Sequence, residues 1–85
     1  MFLFKVQDRF LVTGRGLILV PGLGDKKATV GDPIKIVKPD QTIIETTIRG
    51  IGFNEFHDIL VEKDLTKDDV PIGSEVWSNQ KLIFL

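Results

Sequence analysis

The residues of this chain that could bind a phosphate group lie in one stretch, residues 6–22, which reads VQDRFLVTGRGLILVPG. A dinucleotide-binding loop has three glycines in the order G-x-G-x-x-G, and a helix begins at the loop. Gly14 and Gly16 supply the first two glycines, but Leu19 takes the third position and a strand-like apolar run follows. No segment has the spacing of a P-loop either. We therefore predict that the chain binds no nucleotide.

Residues that could form a catalytic pair are scarce. His57 is the single histidine, and Ser74 lies in Gly73-Ser74-Glu75, which lacks the glycine spacing of a hydrolase nucleophile elbow. His57 and Asp58 are neighbours, and neighbouring side chains of a strand point to opposite faces. Neither can therefore orient the other for acid–base chemistry. We predict that the protein is not an enzyme.

Metal ligands also form no convincing set. The chain has no cysteine, which excludes zinc knuckles, disulfides and thiol chemistry. Residues 64–75 resemble a calcium loop in the spacing of their acids, but Asp69 stands where such a loop needs glycine for its sharp turn. We predict an acidic surface turn there, with no metal and no other cofactor.

The elements that would position any site are strands. The 85 residues allow one domain, residues 1–85, and apolar residues alternate with polar ones at the strand period. No stretch keeps a helical period over three turns, although Thr66 could cap a single 3-10 turn that ends at Asp69. Short strands between Gly and Pro turns predict an all-β fold, closed as a small barrel because closure removes exposed edges. The expected strands are residues 2–6, 17–20, 34–36, 42–53, 58–62 and 75–78.

Two features predict sharp changes of direction. Pro39-Asp40-Gln41 is typical of a tight turn, since proline presets φ and the Asp side chain can accept a backbone hydrogen bond. Gly50 and Gly52 interrupt a β-branched run, where glycine usually marks a bulge or a bend at a barrel corner. The apolar segment KLIFL, residues 81–85, is expected to be covered rather than left in water.

Nothing in the sequence predicts export or insertion into a membrane. The opening MFLF is too short for the apolar region of a signal peptide and is followed at once by Lys5. Apolar runs such as Leu17–Val20 are far below the roughly 20 residues of a membrane span. Together with the lack of cysteine, this predicts a soluble cytoplasmic protein.

A series of motifs in fixed order resembles a known family. The motifs are Gln7-Asp8-Arg9-Phe10, Val12-Thr13-Gly14-Arg15-Gly16, Val30-Gly31-Asp32-Pro33-Ile34-Lys35-Ile36-Val37, Thr47-Ile48-Arg49-Gly50-Ile51, Leu65-Thr66-Lys67-Asp68-Asp69-Val70 and Gly73-Ser74-Glu75-Val76-Trp77. Over residues 4–77 this order resembles the second, β-barrel domain of translational GTPases of the elongation factor Tu type. The most specific parts are D-x-F-x-x-T-G-R-G and the V-G-D-x-I-x-I that follows it.

The resemblance implies a six-stranded closed barrel of the translation-protein type. In that family the Gly-Arg-Gly turn joins the first two strands, and the V-G-D corner introduces a hairpin. Asp8 and Phe10 match an acid and an aromatic near the pocket for the aminoacyl end of tRNA, and Arg15 matches the turn arginine. The binding surface implied by the resemblance is therefore Asp8, Phe10 and Arg15. The structural turn residues are expected to be Gly14, Gly16, Gly31, Asp32 and Gly50.

Departures from the family change the expected function. The 85 residues include no GTPase domain, and Gln7 stands in place of a family acid. The family loop G-x-N-V-G is replaced by residues 52–58, GFNEFHD, in the region that forms part of the aminoacyl pocket. The apolar MFLF and LIFL ends favour burial against a partner. We therefore predict a stand-alone, non-catalytic module for protein–protein interaction or oligomer assembly.

The alternative is a module that binds RNA, tRNA or the ribosome. RNA stacking requires exposed aromatics, for which Phe10, Phe53 and Phe56 are the candidates, although most aromatics in so small a domain lie in the core. The net charge of −1 gives no general attraction to nucleic acid. RNA binding would be favoured if Arg9, Arg15, Lys26 and Lys27 formed one continuous basic surface.

Overall fold

The computed structural model describes residues 1–79, and the chain there is all-β, as the sequence predicted. The strands are β1 (Phe2–Lys5), β2 (Asp8–Val12), β3 (Gly16–Val20), β4 (Pro33–Val37), β5 (Ile43–Thr47), β6 (Gly50–Ile51), β7 (Ile59–Val61) and β8 (Glu75–Ser78). A 3-10 helix covers Lys67–Asp69. Within residues 1–79 no helix has the length and apolar character needed to cross a membrane. The predicted burial of KLIFL concerns residues 81–85, outside the described part.

The strands form two antiparallel sheets around one core. The first sheet has the order β1-β8-β4-β5 and the second the order β2-β3-β7-β6. Among the described strands no ladder joins the two sheets into a closed barrel, and the strand segments number eight. Both sheets contribute to the core, which consists of Leu3, Phe4, Val6, Leu17, Leu19, Leu23, Ile34, Ile36, Ile48, Ile59, Val61, Val70 and Val76.

The chain passes from the first sheet to the second between β1 and β2 without losing backbone hydrogen bonds. Val6 N donates to Ser74 O at 2.7 Å, beside β8, and Gln7 N donates to Val20 O at 2.9 Å, in β3. Val6 therefore continues the pairing of β1 with the β8 side, and Gln7 continues the pairing of β2 with β3.

The connection from β5 to β6 also crosses between the sheets and keeps its backbone hydrogen bonds. Ile48 N donates to Asp32 O at 3.0 Å, next to β4, and Arg49 N donates to Leu60 O at 2.7 Å, in β7. Residues 43–51 are therefore one long segment whose first half pairs with the first sheet and whose second half pairs with the second sheet.

The first strand departs from simple alternation. Simple alternation over residues 2–6 would place Phe2, Phe4 and Val6 on one face, but Phe2 lies on the outer surface opposite Trp77 while Phe4 and Val6 are buried. The pairing register shifts between Phe2 and Phe4, and Leu3 is buried as well. A bulge of this kind inserts one residue into the strand, so two consecutive side chains face the core.

The predicted turn at residues 39–41 is confirmed. Lys38 N donates to Thr42 O, and Gln41 adopts a φ of +76°. Asp40 Oδ1 accepts hydrogen bonds from the Thr42 backbone N–H at 3.0 Å and from its hydroxyl at 2.6 Å. These hydrogen bonds from Thr42 favour the charged carboxylate and hold the pKa of Asp40 below its ordinary value.

Candidate binding site

The outer face of the second sheet carries the residues that the resemblance implied. Residues directly opposite one another in an antiparallel pair point to the same face. Arg9 is opposite the buried Leu19, so Phe10, which is opposite Ile18, points to the outer face. Asp8 shares that face because it is two residues from Phe10. The side chain of Phe10 is 51% exposed, and Asp8 is exposed.

An apolar depression of about 200 Å³ lies on this outer face. Its floor is the cross-strand row formed by Ile18, Leu60 and Gly50 in β3, β7 and β6. A Cβ atom at Gly50 would lie 3.4 Å from the Leu60 Cβ and would project into this space. Gly50 therefore keeps the depression open because it has no side chain. The complete lining is Val12, Arg15, Ile18, Gly50, Ile51, Gly52, Asp58 and Leu60.

Gly50 has a different place from the one expected. The sequence suggested a turn glycine, but Gly50 lies in β6 and pairs with Leu60, and its φ is not in the left-handed region. The change from the first sheet to the second occurs just before it, at Ile48 and Arg49. Glycine at this position leaves the space next to the Leu60 side chain open, and the position does not require the left-handed backbone that favours glycine.

The Gly14-Arg15-Gly16 motif forms the turn between β2 and β3. Gly14 has a φ of +78°, and Arg15 N donates to Val12 O at 2.9 Å. Gly16 has a φ of +145°, and a Cβ there would collide with the backbone oxygen of Val61. The turn therefore packs closely on β7 and places Arg15 at the rim of the depression. Within the described residues, the Arg15 guanidinium has no ion pair within 4.0 Å.

Gly31 and Asp32 form the corner that leads into β4. Gly31 has a φ of +95°, and its N–H donates to Ile48 O at 2.7 Å. The Asp32 carboxylate accepts from the Thr29 backbone N–H at 2.9 Å and from the Thr29 hydroxyl at 3.0 Å. Neither Gly31 nor Asp32 lines the depression, so their place is in the fold rather than in the site.

The structure separates the three residues implied by the resemblance. Arg15 lines the depression, whereas Phe10 lies next to it through its cross-strand neighbour Ile18. Asp8 lies at the far end of β2, where its carboxylate accepts from the Arg9 backbone N–H at 2.8 Å. The site is therefore centred on the Arg15 end of β2 and not on Asp8.

The loop of residues 52–58 projects beside this depression. Gly52 N donates to Asp58 O at 2.8 Å, which closes the base of the loop. Asn54 Oδ1 accepts from the backbone N–H groups of Phe56 and His57 at 3.0 and 2.8 Å. A side chain that accepts from its own following backbone is typical of an Asx turn, and it fixes the tip of the loop.

A second segment supports the same loop from below. Leu23 N donates to His57 O and Gly24 N donates to Phe56 O, both at 2.9 Å. A Cβ atom at Gly22 would collide with these two carbonyl groups, so only glycine permits the close approach. The result is a loop that is hydrogen-bonded to residues 23 and 24 and that presents Phe53, which is fully exposed, and Phe56, which is 57% exposed.

The basic residues named above do not form one surface. The Arg9 side chain is only 16% exposed, and its guanidinium donates to Lys67 O at 3.2 Å. It therefore packs toward the 3-10 helix, away from Arg15. Lys26 and Lys27 line a separate depression with His57.

Ser74 and His57, the two residues considered for catalysis, are both hydrogen-bonded to backbone carbonyl groups. The Ser74 hydroxyl is buried and donates to Pro71 O at 2.6 Å. His57 Nδ1 lies 3.1 Å from Gly52 O within the loop of residues 52–58. Across residues 1–79 no group of three or more His, Asp or Glu side chains is arranged to hold a metal ion.

Comparison with known protein families and with solved structures gives no match: no family model fits the chain, and no solved structure resembles it significantly.

Proposed function

We propose that the chain is a non-catalytic binding module that contacts a protein through the outer face of its second sheet. The observation that carries this proposal is the open apolar depression above Leu60 and Gly50, with the exposed ring of Phe53 beside it. Apolar lining with a few polar groups at the rim is typical of a binding site. Here the polar groups are Arg15 and Asp58, one of each charge.

We further propose that the two sheets are halves of one six-stranded barrel. Residues 2–12 and 43–51 each keep backbone hydrogen bonds while they pass from one sheet to the other. If residues 2–12 are counted as one strand and residues 43–51 as another, six strands remain. Their pairing then runs in a circle, from residues 2–12 through β8, β4, residues 43–51, β7 and β3 back to residues 2–12. This arrangement supports the resemblance to the second domain of Tu-type translational GTPases, in which the Gly-Arg-Gly turn joins the first two strands.

The chemistry of the face suits an aromatic or aliphatic side chain of a protein. An engineered apolar cavity of about 150 Å³ binds benzene, so a depression of about 200 Å³ accepts a single ring. Exposed aromatic residues and an arginine are the types enriched at protein interfaces, and Phe10, Phe53 and Arg15 are all exposed here.

Titration with N-acetyl-phenylalaninamide, followed by NMR on the isotope-labelled chain, tests this proposal. We expect chemical-shift changes at Val12, Ile18 and Leu60 with a millimolar dissociation constant. Gly50→Leu fills the depression and is expected to abolish these changes, while Ile43→Val on the first sheet leaves them intact. The titration is repeated on Phe53→Ala, which removes the exposed ring beside the depression. A saturating titration with no shift changes on the second sheet of either protein would overturn the proposal.

Binding of an RNA end is the second candidate. The observation in its favour is that Phe10, Phe53 and Phe56 are all exposed and that Arg15 lies at the rim of a space large enough for a base. Base stacking with nearby arginine is how many proteins bind single-stranded RNA. The separation of Arg9, Lys26 and Lys27 from Arg15 favours the protein partner.

A parallel titration distinguishes the two candidates. AMP and deacylated tRNA are added to the same labelled chain at several salt concentrations. Salt-dependent binding of tRNA, tighter than that of the phenylalanine amide, would favour RNA because phosphate contacts release counterions. We expect weak or no tRNA binding, since the single arginine of the depression neutralises few phosphates and Asp58 also lines it.

A further inference from the structure

We propose that the partner of this face is a second copy of the chain, and that two copies exchange Phe53. The ring of Phe53 in each copy inserts into the depression above Leu60 and Gly50 of the other. This proposal rests on the proposed function, because it names the partner of the same site. Four properties of the described residues carry it.

The first property is the exposure of Phe53 on a hydrogen-bonded loop. Its side chain is fully exposed, while Asn54 and the 22–24 segment hold the surrounding backbone by hydrogen bonds. An exposed aromatic side chain is a residue type often found as an interface anchor. Water is a poor environment for such a ring, and a partner pocket removes it from water.

The second property is that the depression is large enough for the Phe53 ring. The depression measures about 200 Å³ and is lined mainly by apolar groups, and about 150 Å³ is enough for benzene. The Phe53 of the same copy leaves this space free, since its own side chain is fully exposed. Each copy therefore offers both an anchor and a vacant receptor for it.

The third property is that anchor and receptor are neighbours. Gly52 and Asp58, which lie at the base of the 52–58 loop, also line the depression. In a two-fold dimer each contact occurs twice, because residue i of one copy contacts residue j of the other and the reverse. A patch in which the anchor lies directly beside its receptor satisfies this condition, so both rings can be buried at once.

The fourth property is charge. Glu55 follows Phe53 by two residues and Arg15 lies at the rim of the depression, and both are exposed. Neither has an ion pair within 4.0 Å among residues 1–79. Insertion of Phe53 brings Glu55 to the Arg15 of the other copy, and the two-fold axis creates this pair twice. Complementary charges of this kind fix register and exclude wrong partners.

Sedimentation equilibrium of the full chain over a series of concentrations tests the proposal. We expect a monomer–dimer equilibrium. Truncation of a central interface anchor weakens binding by about thirtyfold or more, which is the effect we expect for Phe53→Ala. Gly50→Leu, which fills the receptor, should weaken the dimer similarly. Ile72→Ala removes an exposed apolar side chain elsewhere and should leave the equilibrium unchanged.

A charge exchange tests the geometry independently of the apolar contact. Arg15→Glu and Glu55→Arg are each expected to be monomeric, because each places like charges together twice. A mixture of the two variants should form a heterodimer. In that heterodimer the glutamate that replaces Arg15 in one copy meets the arginine that replaces Glu55 in the other, and the two unchanged residues form the second pair. Thermal unfolding of each variant shows whether it is folded.

The outcomes separate this proposal from the proposed function. A chain that stays monomeric at millimolar concentration, or a dimer unaffected by Phe53→Ala, overturns the exchange of Phe53. If the folded Phe53→Ala variant still binds N-acetyl-phenylalaninamide at Leu60, the proposed function stands even when the exchange fails. If that variant binds no ring and the chain is monomeric, both fail.

Discussion

Gly16 lies so close to Val61 that a Cβ atom at Gly16 would collide with the backbone oxygen of Val61. Gly16 begins β3 and Val61 ends β7, and the two strands are paired at this point through Leu17. The contact holds the turn of residues 13–15 against the second sheet. The position of Arg15 at the rim of the depression therefore depends on a backbone contact that only glycine permits.

We predict that Gly16→Ala destabilises the protein by about 3 kcal/mol, because it combines an unfavourable φ of +145° with a backbone collision. Gly14→Ala is the matched control. Its φ is +78°, but the space around it is open, so the cost is about 1 kcal/mol from the left-handed backbone alone. Urea unfolding measures both, and equal effects would contradict the role of the Val61 contact.

Gly22 has the corresponding role under the 52–58 loop. We predict that Gly22→Ala separates this segment from the loop, because the new Cβ collides with the carbonyls of Phe56 and His57. Amide hydrogen exchange of Leu23 and Gly24, which donate to those carbonyls, should become much faster. Unchanged protection of these two amides would show that the loop does not depend on the close approach.

The 3-10 helix supplies a prediction for acid stability. The Asp69 carboxylate oxygen Oδ2 accepts hydrogen bonds from the Thr66 backbone N–H at 2.8 Å and from the Thr66 hydroxyl at 3.1 Å. This backbone hydrogen bond, with that of the Thr66 hydroxyl, lowers the pKa of Asp69. A carboxylate with a lowered pKa contributes stability that is complete above its unfolded pKa, about 3.9, and that is lost as the pH falls through the folded pKa.

We therefore predict that the stability difference between the natural chain and Asp69→Ala is constant near neutral pH and shrinks below about pH 4. Asp68→Ala, which removes a carboxylate from the same turn but none of the hydrogen bonds from Thr66, is the matched control. Urea midpoints measured at a series of pH values test this. A difference that grows as the pH falls would contradict the assigned hydrogen bonds.

Arg9 gives a test of a half-buried cation. Its Nε atom is buried and has no hydrogen-bond partner among residues 1–79, while its terminal nitrogen donates to Lys67 O. We predict that Arg9→Met, which keeps the apolar stem, changes the free energy of unfolding by less than about 1 kcal/mol. Arg9→Ala, which also removes the stem, should cost about 1–2 kcal/mol. Thermal unfolding of the two variants measures how much the apolar stem of Arg9 contributes to stability. Equal losses of stability in the two variants would contradict a contribution from the packing of the stem.

Local sequence signals predict the turns better than the sheets. Pro39-Asp40-Gln41 and the Thr66 cap are both present as expected, because each depends on hydrogen bonds within a few residues. The β-branched pattern indicates the long segment 42–53, but its division into β5 and β6 depends on which strands pair with it. Strand partners come from distant parts of the chain, and period-2 alternation does not identify them.

The candidate site is predicted by the sequence only in part. The Gly-Arg-Gly motif identifies Arg15, whereas the depression depends on Gly50 lying opposite Leu60 across two strands. Phe53 is a candidate for an exposed aromatic, but the general tendency of aromatics to be buried argues against it. The available signal is Asn54, whose side chain can form an Asx turn that fixes such a loop at the surface.

The most direct test of the account is an isotope-filtered NOE experiment on a mixed sample, in which one copy is labelled at its methyl groups and the other is not. We predict intermolecular NOEs from the Phe53 ring protons of the unlabelled copy to the methyl groups of Leu60 and Ile18 of the labelled copy. The same sample prepared with Phe53→Ala should lack them. Intermolecular NOEs that involve only first-sheet methyl groups, such as those of Ile43, would contradict the account.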